Sequence, residues 1–196
     1  MSANPLSVPA RRPPHRGWAI IENGTIAILA IVVIAFVVSK LWGLWTQKDV
    51  AMETTNYQSI ITYVRGNFKG GSGYNFTSAS TMTGTVIAAG GAKGMNIQGD
   101  ETSGTATMTN AFGGQVILTP VATGGFNNGF SLSSAQIPQD ACISIAQQMG
   151  SGAYASVSIN STVHSDGDVS AETATKECVK DSGGVGQNTL LFTVNG

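Results

Sequence analysis

A carboxylate interrupts the longest apolar run of this chain. Residues 18–38 read WAIIENGTIAILAIVVIAFVV, and Glu22 sits near the start of the run. As a helix the run is about 30 Å long at 1.5 Å per residue, enough to cross the hydrocarbon core of a bilayer. A charge buried in hydrocarbon is costly, so Glu22 has to find a partner or stay close to the headgroups. Any fold built on this chain must therefore give the run an apolar environment and the carboxylate an answer.

The flanks narrow the choice. Arg11, Arg12 and Arg16 all precede the run, which keeps the N-terminus cytoplasmic and sends the C-terminal domain to the outside. An ordinary cleaved signal peptide needs small residues after its apolar stretch. The stretch VVSKLWGLW at 37–45 is a poor cleavage site, and it holds no cysteine for a lipid anchor. Reading Arg11-Arg12 as a twin-arginine export signal is opposed by the adjoining Pro13-Pro14. A plain signal anchor fits the length and the flanks but leaves Glu22 unexplained. Pro13 and Pro14 oppose helix formation ahead of the run and Gly17 adds freedom, so an open, cuttable stretch precedes Trp18.

Composition supports an exported domain. Only 11% of residues are charged and 25 of 196 are Gly, which suits a surface protein of short strands and many turns. With 42% hydrophobic residues the chain can bury a core, so it is not disordered. Without the first 17 residues the net charge falls to −4, since three of the ten basic residues and none of the eleven acidic ones are removed. No basic patch remains for nucleic acid. Two thiols in an exported domain form one bridge, here Cys142 with Cys178; the alternative is a pair of reduced core cysteines. The chain-entropy model gives such a loop roughly 4 kcal/mol.

No proline occurs between Trp18 and Thr119. Beyond the apolar run, Val50, Thr54, Tyr57, Ile61, Val64 and Phe68 recur at helical spacing, while Lys48, Asp49, Glu53, Gln58 and Arg65 are placed off that face. This predicts a single helix over about 18–68, roughly 75 Å long, with its second half under a globular head. A coiled coil with a separate partner is the alternative for the stripe. Residues 69–80 read as a helix stop and loop, 81–89 as a short helix and 90–104 as loop. Strands are expected over 115–121 and 129–133, joined across TGGFNNG, and over 154–159 and 188–194, with a short helix over 138–149 carrying Cys142. Residues 161–187 read as a long irregular region holding Cys178. The fold class is α+β.

Catalytic and ligand-binding patterns are weak. His164, the only histidine beyond the first 17 residues, lies in VHSDGDVS and reads as a surface-loop residue. Asp166-Gly167-Asp168 lacks the longer ligand series of a calcium loop. The glycine pairs match no phosphate-binding spacing. Asn75 and Asn160 match the glycosylation sequon, a short pattern that says little by itself. No enzyme activity, metal or cofactor is expected.

The stretch HRGWAIIENGTIAIL at 15–29 resembles the start of a type IV prepilin: a short basic leader ending in Gly, a cut before the apolar segment, and Glu as the fifth mature residue. Trp18 departs from the commoner Phe at the first mature position. It resembles the type IVb branch, especially the major pilins of conjugative-plasmid thin pili and related adhesive pili. The low-charge head, the stretch NAFGGQVIL at 110–118 and the paired-Cys region are similar to that group. The resemblance implies a pilin fold, one long N-terminal helix with an antiparallel sheet packed on its C-terminal half. It implies a leader over 1–17, a membrane or filament-core half of the helix over 18–48, and a head over 49–196.

It also implies cleavage by a prepilin peptidase between Gly17 and Trp18, methylation of the Trp18 amine, and pairing of Glu22 with the Trp18 amine of a neighbouring subunit. The partners implied are further copies of the chain, the peptidase, the inner-membrane assembly machinery and the membrane itself. The precursor would sit in the inner membrane and the product in an extracellular pilus serving adhesion, cell–cell contact or conjugative mating. A minor pilin or a secretion-system pseudopilin would share the leader and Glu22. A signal-anchored monomeric surface protein would not need them.

Overall fold

Helix α1 runs over Arg16–Asn67. It begins two residues ahead of the expected Trp18, and the proline-free sequence lets it continue without a break. The computed structural model describes residues 16–123, 125–150 and 154–195, without the side chains of 16–27, 39–46 and 123. Two compact units result, Met1–Leu44 and Trp45–Gly196. The first contains the N-terminal part of α1, where the described side chains 28–38 are all exposed, Ile31 and Phe36 among them.

The second unit contains the rest of α1 and everything after it. In order come α2 (Ala79–Ala88), β1 (Asn96–Gln98), β2 (Thr107–Thr109), β3 (Gln115–Thr123), β4 (Phe126–Ile137), α3 (Gln139–Gly150), β5 (Ser156–Ile159), β6 (Thr162–His164), α4 (Ala171–Glu177) and β7 (Asn188–Asn195). The seven strands form one sheet in the order β1-β2-β3-β4-β7-β5-β6, antiparallel at every pairing. The α+β expectation of one long helix and an antiparallel sheet holds.

Alternation sets which face of the sheet is apolar. Along β7 the burial follows the expected period of two, with Leu190, Phe192 and Val194 inward. Leu132 on β4 stands opposite Phe192, and Val157 on β5 flanks Phe192 from the other side. Leu118 on β3 faces Leu132. These side chains are fully buried and meet Tyr57, Ile60 and Val64 of α1 in one core. Each large side chain so buried contributes roughly 1.5–3 kcal/mol. The stripe from Val50 to Val64 is thus the floor of the head, and Phe68 packs partly buried at its end.

Several expectations are corrected. Residues 90–104 are not all loop, because Asn96–Gln98 pairs with Thr107–Thr109. The hairpin of β3 and β4 is tighter than TGGFNNG suggests, and β4 takes in Phe126 to Asn128. Residues 161–187 are not irregular throughout, since they hold β6 and α4. α4 starts at a Ser170 cap whose Oγ accepts the Thr173 N–H at 3.1 Å. The most instructive correction is Glu53. Expected off the buried face, it is 2% exposed and belongs to that face. It lies three residues after Val50 and four before Tyr57, which is the inward row.

Candidate functional site

Three places in the chain bear on function: the N-terminal turns of α1, the contact between α1 and the 110–114 turn, and the disulfide-closed C-terminal region. Gly17, Trp18 and Glu22 all fall within α1. Residues 18 and 22 are four apart, one turn, so they share a helix face. Their side chains lie outside the described residues, as does the leader before Arg16. Among the described residues no helix is long and apolar enough to cross a membrane.

The second place begins with Asn110. Its Oδ1 accepts the N–H groups of Phe112 at 3.0 Å and Gly114 at 2.8 Å, closing the 110–114 turn on itself. Its Nδ2 donates to Ala135 O and to Ser134 Oγ, each at 2.8 Å. Gly114 is required there, because a Cβ would collide with the Ala135 carbonyl oxygen. The turn is docked on α1 by Glu53, whose Oε1 accepts the Ala111 N–H at 2.7 Å. One turn further along α1, the Tyr57 hydroxyl shares a 2.7 Å hydrogen bond with Ser134 Oγ. Glu53 Oε2 is buried and has no hydrogen-bond partner.

Burial pushes the Glu53 carboxyl above its ordinary value of 4.5. The Ala111 amide and then the Tyr57 hydroxyl oppose that shift, and the Asp49 charge adds to it. Burial and then the Glu53 charge likewise push the Tyr57 phenol well up. The residues of NAFGG thus serve as a turn lock between α1 and the sheet. Sequence reasoning singles out that stretch but misses its partner Glu53.

The third place is closed by the Cys142–Cys178 bridge, as expected, with Cα atoms 6.0 Å apart. Cys142 lies in α3 and Cys178 caps the end of α4. Gln139 Nε2 donates to Cys178 O at 2.9 Å, and the Gln139 N–H donates to Asp181 Oδ1 at 2.8 Å. Asn188, fully buried, makes four bonds. Its Nδ2 donates to Ile137 O at 3.0 Å and Val179 O at 2.9 Å, and its Oδ1 accepts from Val179 N at 2.7 Å and Asn160 Nδ2 at 3.1 Å.

Asn160 takes the left-handed φ of 54° and also donates to Glu177 O at 2.9 Å. Its sequon amide is therefore engaged in structure. His164 is not a loop residue: it ends β6, and its Nε2 lies 2.8 Å from Glu177 Oε2. Asp166 and Asp168 form no metal-binding group; among the described residues no cluster of three or more His, Cys, Asp or Glu is placed to hold an ion.

These parts describe an apolar helix joined to a disulfide-braced head. The family described as PilS N terminal matches residues 47–195. A crystal structure of a type IVb pilin from Salmonella typhi is 48% identical, with a TM-score of 0.67, covering 74% of this chain and 99% of that one. An NMR structure of the type IVb pilin PilS from the same organism is 44% identical, with a TM-score of 0.54, covering 76% of this chain and 97% of that one. No curated protein sequence matches. With a family match over most of the head, and relatives nearly half identical that share its fold, the chain belongs to the PilS family of type IVb pilins, a family of pilus subunits.

Proposed function

We propose that the chain is the major structural subunit of a type IVb pilus. It is made as an inner-membrane precursor, with residues 18–38 across the bilayer and the head outside. A prepilin peptidase cuts between Gly17 and Trp18, and the new Trp18 amine is methylated. The membrane assembly machinery then extracts the subunit, and copies of it polymerise through residues 18–48 into a thin filament. The pilus serves cell–cell contact, by adhesion or in conjugative mating. The work of the protein is assembly and display, and no catalysis is assigned to it.

The observation that carries this reading is a conjunction. A head 48% identical to a type IVb pilin is preceded by Gly17-Trp18 with Glu22 fifth in the mature chain. Glu22 gains a purpose in that setting. In a waterless bundle of helices it neutralises the Trp18 amine of a neighbour, which fixes register as well as charge. The apolar side chains of 28–38, exposed in the single chain, gain neighbours in the same bundle.

Mass spectrometry of filaments sheared from cells that carry the assembly genes tests the reading. The expected chain starts at Trp18, with one added methyl group and two hydrogens missing for the disulfide. A chain that keeps residues 1–17 in those cells overturns it. The variant Glu22→Ala is expected to enter the membrane at the normal level and to yield few filaments by electron microscopy. Normal filament numbers would remove Glu22 from assembly. A product found only at a few copies per filament of another pilin would make it a minor pilin.

A further inference from the structure

A carboxyl that is 2% exposed, with one oxygen hydrogen-bonded and the other unpartnered, is an uncommon thing to keep in a core. We propose that Glu53 is a proton-operated latch between helix α1 and the 110–114 turn. Protonated, it holds the turn on the helix; ionised, it loosens the turn.

The geometry gives the latch its two states. An ionised carboxylate offers about four lone-pair sites, and the backbone donates to this one through the Ala111 N–H at 2.7 Å. The neutral acid needs far less solvation, so it fits the dry site that the carboxylate does not. The groups facing it are neutral or negative. From α1 they are Tyr57 and, one turn earlier, Asp49. From the turn and β4 they are Asn110 and Ser134, which with Tyr57 form a connected set of neutral hydrogen bonds. Asp140 of α3 and Asp181 line a cleft with Asp49 and Phe112, the residue after Ala111. Among the described residues no basic side chain forms a salt bridge with Glu53.

Loss of the proton therefore places a second negative charge beside Asp49 without a counter-ion. The Ala111 N–H bonds a carboxylate more strongly than an acid. One donor does not replace the water that a buried charge needs, so relief is found by opening the turn to solvent. The direction agrees with burial raising the carboxyl above 4.5. A raised value in the folded state means full stabilisation below the unfolded value. That stabilisation is lost as pH rises through the folded one. The latch is closed in acid and opens as pH rises above the ordinary carboxyl value of 4.5. It works in a single subunit and does not rest on the filament reading.

Amide exchange of the full chain in detergent micelles tests this, comparing wild type with Glu53→Gln from pH 4 to 8. Exchange in peptides covering 105–118 is normalised at each pH to the intrinsic rate. The expected result is protection in the wild type that falls relative to Glu53→Gln as pH rises. The loss should be about tenfold for each pH unit between the unfolded and folded values. A ratio that stays constant with pH overturns the proposal. If Glu53→Gln does not fold, the wild type alone decides, through the carboxyl carbon of isotope-labelled Glu53. Titration above the other glutamates supports the latch, and titration with them overturns it.

Discussion

Asn188 uses every hydrogen bond an amide side chain can make, two donated and two accepted, with no exposure to solvent. It stitches the end of β4, the stretch after α4 and the start of β7 at one point. Asn188→Ala strands Ile137 O and both backbone groups of Val179. Of these the Ile137 carbonyl is the buried one. An unsatisfied buried group costs about 1–3 kcal/mol, so the variant should lose on the order of 1–3 kcal/mol in chemical denaturation. Asn160→Ala at the neighbouring exposed position should lose less. Equal losses would mean that burial is not what gives Asn188 its weight. Neither role can be read from the sequence, because a lone Asn beside a strand carries no sign of which distant carbonyls it will meet. Glu53 is illegible for a different reason. Its spacing to Val50 and Tyr57 puts it on the inward row, but its charge argues for the solvent side, and position wins over charge.

At the scale of elements, legibility follows periodicity. The stripe from Val50 to Val64 and the alternation of β7 are plain, because long regular patterns outweigh single residues. β1, β2 and β6, three residues each, have no room for a pattern, and they exist because a neighbour offers a ladder. α4 is hidden for a related reason. Seven residues are too few for a stable isolated helix, and this one is held by its Ser170 cap, the His164–Glu177 pair and the bridge to α3. Replacing Cys142 and Cys178 together by Ser should therefore cost roughly 4 kcal/mol. α4 should lose protection in hydrogen exchange before β3 and β4 do. Simultaneous loss across the sheet would show that the bridge supports the entire head and not its corner.

For the whole molecule, the α+β class can be read from the order of patterns, but the strand order cannot. Which strands meet depends on contacts far apart in sequence, and β4 meets β7 only after α3, β5, β6 and α4 have intervened. The division into Met1–Leu44 and Trp45–Gly196 has a direct consequence. The contiguous exposed apolar residues 28–38 belong to the first unit, whereas those of the head, such as Met52, Phe126 and Val163, are scattered. A chain begun at Trp45 should fold and stay monomeric in analytical ultracentrifugation without detergent. Oligomers of that shortened chain would place an assembly surface on the head itself.

The position of β7 sets a timetable. It is the last of the seven strands to be made, yet it lies between β4 and β5. Until it arrives, β1 to β4 and β5 to β6 are two fragments that share no ladder. A growing chain therefore lacks the strand that joins the two parts of its sheet until residues 188–195 have been made. The sheet can close only when residues 188–195 enter the gap, and an interrupted synthesis leaves its two parts unjoined.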